Sequence, residues 1–347
     1  MKVAIITDQH FGARKNSKLF HDYFLKFYTE VFFPTLVKEN ITMVIDMGDT
    51  FDSRKGIDFA ALAWAKDNYY DTLEKIGCTV HTIVGNHTAY YKNTNDLNAV
   101  DLLLREYKNV KVYSKPTEVK LDKLKVLFIP WINEQNFEDT FKCVENTTCK
   151  VAMGHLEFSG FPPYRGYTME EGMDSKLFEK FQYVFSGHYH TRSNNGKIYY
   201  LGNPYEIYSN DIGDVRGFHI FDTQTLSLEP VNNPYTMHEV INYEDDNYQT
   251  FDVRSYENKI VKLVVKKKTN EKKFEKFVDK LYSVNIAELK IVETFADQSI
   301  INDDYDLESE DTVSILTRYV DDFDNTINKS SIKKLISQIY KQACEVV

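Results

Sequence analysis

The chain contains little cysteine and no long apolar run. Four of its 347 residues are cysteines, and none of them stands in a Cys-x-x-Cys pair. This spacing encodes neither a disulfide framework nor a thiolate zinc site, so we expect a reducing compartment such as the cytoplasm. No apolar run reaches the ~18 to 20 residues that a membrane-spanning helix needs. The short apolar stretch from Met1 to Thr7 has no basic segment before it, which predicts a buried first strand rather than a secretory signal.

A basic excess is also missing, which at first argues against a nucleic-acid partner. The formal net charge is −10, but ten acidic residues and only one base, Arg318, lie between Asp297 and Asp324. The remainder of the chain is therefore close to neutral. Between Lys259 and Lys280 there are nine lysines and three acidic residues. This lysine-rich segment is either a solvated helix face or a contact for the DNA backbone, and the sequence leaves both interpretations open.

Short β-type runs alternate with segments of helical length, which predicts an α/β fold. Most of the runs are continuously apolar, as expected of strands that are covered on both faces. Helical patterning fills residues 18–40, 58–76 and 97–107. The predicted strands span residues 2–7, 42–47, 79–84, 125–131, 149–153, 183–186, 198–201 and 217–221.

The length predicts more than one domain, because single cores rarely exceed ~250 to 300 residues. After Pro234 the pattern changes to strand, helix and strand over residues 260–294, which suggests a small capping unit. Ile332 to Ala343 carry apolar residues at helical spacing, with Ser330 or Ser331 as N-cap, and predict an amphipathic helix. We therefore divide the chain into residues 1–240, a capping domain at 241–296, and an acidic linker with C-terminal helices at 297–347.

Histidine and acidic residues fall just after the carboxyl ends of several predicted strands. Side chains that leave different strands at this edge of an α/β sheet converge on rigid supports, and ligands bind there. Five of the nine histidines occupy such positions. The residues in question are Asp8, His10, Asp49, Asn86, His87, His155, His188 and His190.

These residue types suit two divalent cations that act on a phosphodiester. Two cations ~3.5 to 4 Å apart clamp the phosphate and activate a water, and they need a bridging anion. Asp49 is the natural bridge. Asp8, His10 and His190 could complete one cation site, and Asn86, His155 and His188 the other. Mixed imidazole and oxygen ligation favours manganese, with iron and zinc as alternatives, whereas magnesium prefers oxygen ligands.

His87 differs from the other candidates. Its neighbour Asn86 is directed to metal, so we expect the His87 ring to face the substrate phosphate. There it could donate a proton to the leaving oxygen or stabilise the transition state. Each short motif is weak by itself, and their joint occurrence at five strand ends carries the prediction.

The ordered motifs resemble those of the calcineurin-like metallophosphoesterase superfamily. They are Asp8-x-His10, Gly48-Asp49-x-Phe51-Asp52, Gly85-Asn86-His87, Gly154-His155-x-Glu157 and Gly187-His188-x-His190. Residues 48–55, 81–87, 109–113 and 129–131 narrow the resemblance to SbcD-type DNA repair nucleases, above all those of T-even-type bacteriophages. It is strong over residues 1–240 and looser beyond them.

The resemblance implies a two-sheet β-sandwich flanked by helices, with a small α+β capping domain and C-terminal helices. It also implies a manganese-dependent exonuclease or endonuclease with two divalent cations. All seven expected metal-ligand positions carry a suitable residue, and His87 is implied to be catalytic. Expected partners are DNA, an SbcC-type coiled-coil ATPase that binds the C-terminal helices, and a second copy paired through the nuclease domain. DNA recombination, repair and replication in the cytoplasm of a phage host are the expected setting.

One position departs from the family. Its members usually carry an acidic residue after Gly-Asn-His, and this chain has Thr88 there. The acid supports the site without binding metal, so we expect weaker support of His87 or an altered metal preference.

Two alternatives stay open. The first is a metallophosphoesterase that acts on small phosphoesters, although the Asp-Arg-Gly of protein phosphatases is replaced by Asp49-Thr50-Phe51. The second is a catalytically silent scaffold that tethers DNA, which the complete ligand set disfavours.

Overall fold

A computed structural model describes residues 1–246 and 250–293, together with Val320, Lys329 and Ile332. The chain divides into two compact units, residues 1–294 and residues 295–347. The predicted acidic linker and the amphipathic C-terminal helix lie outside the described residues, apart from those three positions. Among the described helices, none has the length and apolarity to cross a bilayer.

The first large sheet has six strands and carries the amino terminus near its centre. Its strand order is β14-β13-β1-β2-β3-β6, with parallel pairing among β1, β2, β3 and β6 and antiparallel pairing of β1 with β13 and of β13 with β14. The strands are β1 (Lys2–Ile6), β2 (Met43–Asp46), β3 (Thr79–Ile83), β6 (Val110–Tyr113), β13 (Gly217–Asp222) and β14 (Leu228–Asn232).

The second large sheet also has six strands, of which four are parallel neighbours. Its order is β11-β12-β10-β9-β8-β7, with four parallel strands and an antiparallel strand at each edge. Its strands are β7 (Thr117–Leu121), β8 (Leu124–Ile129), β9 (Val151–Gly154), β10 (Tyr183–Ser186), β11 (Ser193–Asn194) and β12 (Ile198–Tyr200). A hairpin of β4 (Ala89–Tyr91) and β5 (Thr94–Asn98) stands apart.

The two sheets stack face to face over a shared apolar core. Successive residues of a strand point to opposite faces, so Val3 and Ile5 pack between the sheets while Ala4 and Ile6 pack under the helices. Because both faces are covered, central strands such as β1, β2 and β9 are largely apolar. The layers are therefore helix, sheet, sheet and helix.

Helices cover the outer faces of both sheets. Two long segments on the first sheet each contain one π-helical turn, Tyr28–Phe32 and Lys66–Tyr70. The α-helices are α1 (Ala13–Asn16), α2 (Lys18–Phe27), α3 (Phe33–Lys38), α4 (Phe59–Ala65), α5 (Asp71–Lys75), α6 (Ala99–Leu103), α7 (Phe137–Asn146) and α8 (Glu271–Tyr282).

A small parallel sheet with its own core follows the sandwich. It consists of β15 (His238–Glu244), β16 (Ile260–Lys267) and β17 (Glu288–Val292), and α8 connects the last two strands. Phe274, Phe277 and Leu281 from α8 pack on this sheet. A buried contact joins it to the sandwich, because the Glu206 carboxylate accepts hydrogen bonds from the backbone nitrogens of Met237 and His238, both 2.8 Å long.

The fold class predicted from the sequence is confirmed: two sheets are flanked by helices, and the strand, helix and strand of the small unit are present. The helix predicted over residues 97–107 is wrong in extent, because it spans only Ala99–Leu103. Asn98 ends β5 and caps that helix through a 2.8 Å hydrogen bond from the Asp101 backbone nitrogen. The division at residues 240 and 296 stays a prediction; β15 runs across residue 240.

Candidate metal centre

The residues singled out from the sequence lie together at one rim of the sandwich. The first sheet contributes the loops after β1, β2 and β3, and the second sheet contributes the loops after β9 and β10. Backbone hydrogen bonds tie neighbouring loops together, such as those from Asp8 to Gly48 at 3.0 Å and from His10 to Asp49 at 2.9 Å. The rim is therefore a rigid framework built from distant parts of the sequence.

Asp8, His10 and His190 form one group of potential cation ligands. One ligand atom from each lies within 4.8 Å of the others. The Nε2 atoms of His10 and His190 are 3.1 Å apart, so both rings point at the same place. The Asp8 carboxylate also accepts hydrogen bonds of 3.1 and 3.0 Å from the backbone nitrogen of His188, which fixes its position.

Asp49, His155 and His188 form the second group, with the same 4.8 Å limit between their ligand atoms. The Asn86 side-chain oxygen joins them, 2.8 Å from His155 Nε2 and 3.1 Å from His188 Nδ1. Asp49 Oδ2 lies 3.1 Å from His155 Nε2. The structure thus brings together all seven residues that the sequence predicts as metal ligands.

The donor set fits divalent cations. Each group offers a carboxylate and two imidazoles, and the second adds an amide oxygen, which are ligands that manganese, iron and zinc accept. His155 Nδ1 lies 2.9 Å from the Met47 carbonyl oxygen, which can only accept a hydrogen bond. Nδ1 therefore donates a hydrogen bond to that carbonyl. Burial alone would lower the pKa of His155, but the Asp49 carboxylate raises it to about 9, so Nε2 would give up a proton when it binds a cation.

Burial and neighbouring charges shift the ionisation of these groups in opposite directions. Burial lowers the pKa of His188 to about 3, with help from the charge of His155. Burial and the charge of His10 likewise lower the pKa of His190. These two rings are neutral near pH 7, the form that binds metal. Burial would raise the pKa of Asp49, but the charges of His155 and His87 hold it well below its usual range.

His10 is supported by the carboxylate of Asp52, a residue for which the sequence predicts no role. Its Nδ1 atom lies 3.2 Å from Asp52 Oδ1. Burial alone would lower the pKa of His10, but the adjacent Asp52 carboxylate, with the charges of Asp49 and Asp8, raises it to about 9. A carboxylate behind a ligand histidine orients the ring and increases its basicity.

His87 borders both groups without belonging to either. Its backbone nitrogen donates a 2.8 Å hydrogen bond to Asp49 Oδ1, and its ring lies 4.9 Å from that of His10. Its Nδ1 atom lies 2.6 Å from the Asp52 carbonyl oxygen, so Nδ1 carries a proton and donates it there. Asp52 therefore contacts His10 through its side chain and His87 through its backbone.

Four of the rim residues have left-handed backbone conformations. Their φ angles are 53° at Asp8, 47° at His10, 51° at Asp49 and 82° at His188. Residues other than glycine rarely adopt this conformation. Those that do are concentrated at functional sites. Nearby, Gly85 is required by space, because a Cβ atom there would collide with the Asp49 carboxylate and backbone nitrogen.

Thr88, at the position where the resemblance led us to expect an acidic residue, is buried within the turn that carries His87. Its hydroxyl lies 3.0 Å from both the nitrogen and the carbonyl oxygen of Gly85. It therefore closes the turn locally.

Arg216 is a further support that no short motif marks. It is buried, forms ion pairs with Asp211 at 2.8 Å and Asp214 at 3.2 Å, and donates hydrogen bonds to the His190 carbonyl and to Asn203. The arginine thus holds the backbone of a candidate ligand. The sequence does not predict this role, because Arg216 lies far from His190 along the chain and an arginine is usually exposed.

Comparisons with known proteins identify relatives of the chain and its family. Exonuclease subunit 1 of Enterobacteria phage T4 is 32% identical over 311 residues, which cover 89% of each chain. Solved structures similar to the chain include an archaeal phosphodiesterase (11% identity, 67% of this chain and 100% of that chain, TM-score 0.35). Another is a dimetal phosphatase from Danio rerio (12% identity, 63% and 91%, TM-score 0.38). Residues 1–192 match the calcineurin-like phosphoesterase description, and the chain therefore belongs to that metallophosphoesterase family.

Proposed function

We propose that the chain is the nuclease subunit of a DNA recombination and double-strand-break processing complex, and that it hydrolyses DNA phosphodiesters. The observation that carries this is the convergence of two ligand groups beside His87 at one rim. The similarity to an exonuclease subunit over 89% of the chain favours a polymeric DNA substrate over small phosphoesters.

Seven residues are proposed to hold two divalent cations: Asp8, His10 and His190 for one, Asn86, His155 and His188 for the other, and Asp49 between them. Manganese is the preferred metal because imidazole nitrogens are mixed with oxygen ligands. A bound cation pair supplies an activated water and neutralises the charge that develops on the phosphate.

His87 is proposed as the catalytic residue. The hydrogen bond from Nδ1 to the Asp52 carbonyl oxygen orients the ring and leaves Nε2 for the substrate. When the ring is protonated, Nε2 donates its proton to the leaving oxygen. The second bond, from the His87 backbone nitrogen to Asp49, keeps the ring in register with both ligand groups.

The proposed partners follow the resemblance. DNA ends and single strands are the substrates, and the lysines of β16 and α8 contact the DNA backbone. An SbcC-type ATPase binds the C-terminal helices, and two copies pair through the nuclease domain. Because the relative is encoded by a phage, we place the protein in the host cytoplasm.

The test is digestion of end-labelled linear duplex DNA with Mn²⁺. We expect His87→Asn to lower cleavage by about 10²- to 10⁴-fold, the usual contribution of a general acid. Mn²⁺ affinity, measured by electron paramagnetic resonance, should stay near that of the parent because His87 belongs to neither ligand group. His21→Asn is the control, since His21 stacks on Trp64 and belongs to neither ligand group.

Two results would contradict the proposal. One is hydrolysis of small phosphodiesters such as bis(p-nitrophenyl) phosphate without cleavage of DNA. The other is binding of DNA without Mn²⁺-dependent cleavage by a protein that binds the cation. Adding the ATPase subunit to the same assay reports the direction of digestion and the effect of the partner.

A further inference from the structure

A cavity of about 350 Å³ opens beside the candidate metal centre. Its volume is at the lower end of the ~300 to 1,000 Å³ typical of small-molecule sites. Trp131, Phe141, His155, Glu157 and Met173 are among its lining residues. None of the roles assigned above uses this cavity, although His155 belongs to both its wall and the second ligand group.

Trp131 forms the boundary between the cavity and the metal centre. Its ring centroid lies 5.1 Å from that of His188 and 6.2 Å from that of His155. Its backbone is fixed by a 2.8 Å hydrogen bond to the Val84 carbonyl oxygen and by a 2.7 Å bond from the Asn95 side chain. A molecule in the cavity would therefore pack against an indole that has a fixed backbone and also lies against the two histidines of the centre.

The other walls are apolar and partly aromatic. Phe141 is half-buried on α7, and its ring lies 4.6 Å from that of Phe137 on the same helix. Met173 adds a flexible thioether to the lining. Aromatic rings that line a space next to a phosphate site bind nucleobases by stacking, because every base has a flat π-face.

Glu157 gives the cavity its polarity. It is half-buried, and no hydrogen bond or ion pair of its carboxylate is found among residues 1–246 and 250–293. A carboxylate repels a phosphate but accepts hydrogen bonds from amino groups. Adenine and cytosine carry such exocyclic amino donors, whereas thymine carries a carbonyl oxygen and a methyl group at the corresponding edge.

We propose that this cavity binds one unstacked nucleobase of the DNA, next to the phosphate that is cut, and that Glu157 favours bases with an amino donor. The proposal rests on the proposed nuclease function. A recessed cavity admits a base only after it has left the stack, which is easiest at a frayed end or in a single strand. It therefore selects DNA conformation as well as base.

Trp131 provides a direct signal, because the chain has only two tryptophans. In a Trp64→Phe background, Trp131 fluorescence is titrated with deoxynucleoside monophosphates and with deoxyribose 5-phosphate, in buffer containing Mg²⁺. We expect quenching by dAMP at about tenfold lower concentration than any response to deoxyribose 5-phosphate, as base stacking on aromatic side chains gives. We expect dTMP to bind more weakly than dAMP and dCMP.

Two substitutions in the same background separate stacking from base choice. Phe141→Ala is expected to weaken the binding of dAMP by about tenfold and to leave the binding of deoxyribose 5-phosphate unchanged. Phe141→Leu repeats the test with less loss of packing. Glu157→Gln is expected to bring dAMP and dTMP to similar affinities. Tyr282→Ala is the control, because Tyr282 is exposed on α8 and does not line the cavity.

The outcomes distinguish the two proposals. If the parent protein cleaves DNA but its responses to dAMP and deoxyribose 5-phosphate are the same, the base cavity is wrong and the nuclease function stands. Equal effects of Phe141→Ala on both ligands also overturn the cavity. If nucleotides bind as expected but DNA is never cut, the nuclease function fails instead.

Discussion

Replacing Asp52 with asparagine tests how the centre is supported from behind. The carboxylate contacts His10 Nδ1 at 3.2 Å, on the side of the ring away from His190. Asparagine keeps the size of the side chain. It also keeps the backbone carbonyl that accepts the hydrogen bond from His87 Nδ1. The substitution therefore removes the charge behind one candidate ligand while it leaves His87, the proposed catalytic residue, in place.

The expected loss can be estimated from this geometry. Asp52 is mostly buried, with 22% of its side chain exposed, so water screens the ion pair only in part. Residues that support a ligand histidine in this way usually contribute 10- to 100-fold to metal affinity. We therefore expect Asp52→Asn to weaken Mn²⁺ binding by about 10- to 100-fold, or about 1.4 to 2.8 kcal/mol.

Isothermal titration of the full chain with Mn²⁺ measures this change. Cleavage of duplex DNA at saturating Mn²⁺ should recover most of its rate, because His87 keeps its partner. Asp139→Asn on α7 is the matched control, since its carboxylate is exposed. Unchanged Mn²⁺ affinity in Asp52→Asn would refute the support role, and a rate that stays low at saturating Mn²⁺ would show that Asp52 acts mainly on His87.

Two further predictions concern stability. Arg216→Met should lower the free energy of unfolding by about 3 to 5 kcal/mol, because it leaves the buried Asp211 carboxylate without its partner; urea unfolding measures this, and a change below 1 kcal/mol would contradict the reasoning. Burial lowers the pKa of His81 to about 4, so only the unfolded chain takes up this proton between pH 6.5 and 4. Stability should fall across that range by up to about 3 kcal/mol, and His81→Gln should flatten the slope in urea unfolding at pH 7 and 5.

The rim and its residues could be predicted because buried parallel strands leave a clear pattern. Val3 to Ile6 and Val44 to Ile45 are apolar without interruption, since both faces of the first sheet are covered. Polar residues that follow such runs must lie at a strand end. Asp8 and Asp49 were therefore placed at the same edge from the sequence, and their distances needed the structure.

The supporting contacts could not be predicted, because they depend on pairs of residues far apart in sequence. Asp52 stands in a recognisable motif, yet nothing in that motif shows that its carboxylate reaches His10 while its carbonyl reaches His87. Arg216 resembles any other surface arginine until the loop that contains Asp211 folds over it. The predicted start of the helix after β5 is too early, because Leu97 fits a helical pattern but belongs to a hairpin strand.

The left-handed backbone at Asp8, His10, Asp49 and His188 makes the stability of the folded protein depend on whether cations are bound. Four such residues cost on the order of 4 to 8 kcal/mol, a large share of the ~5 to 15 kcal/mol that keeps an ordinary domain folded. A cation that binds only the native rim restores part of this stability by mass action. Chelation should therefore lower the free energy of unfolding in addition to stopping the proposed hydrolysis.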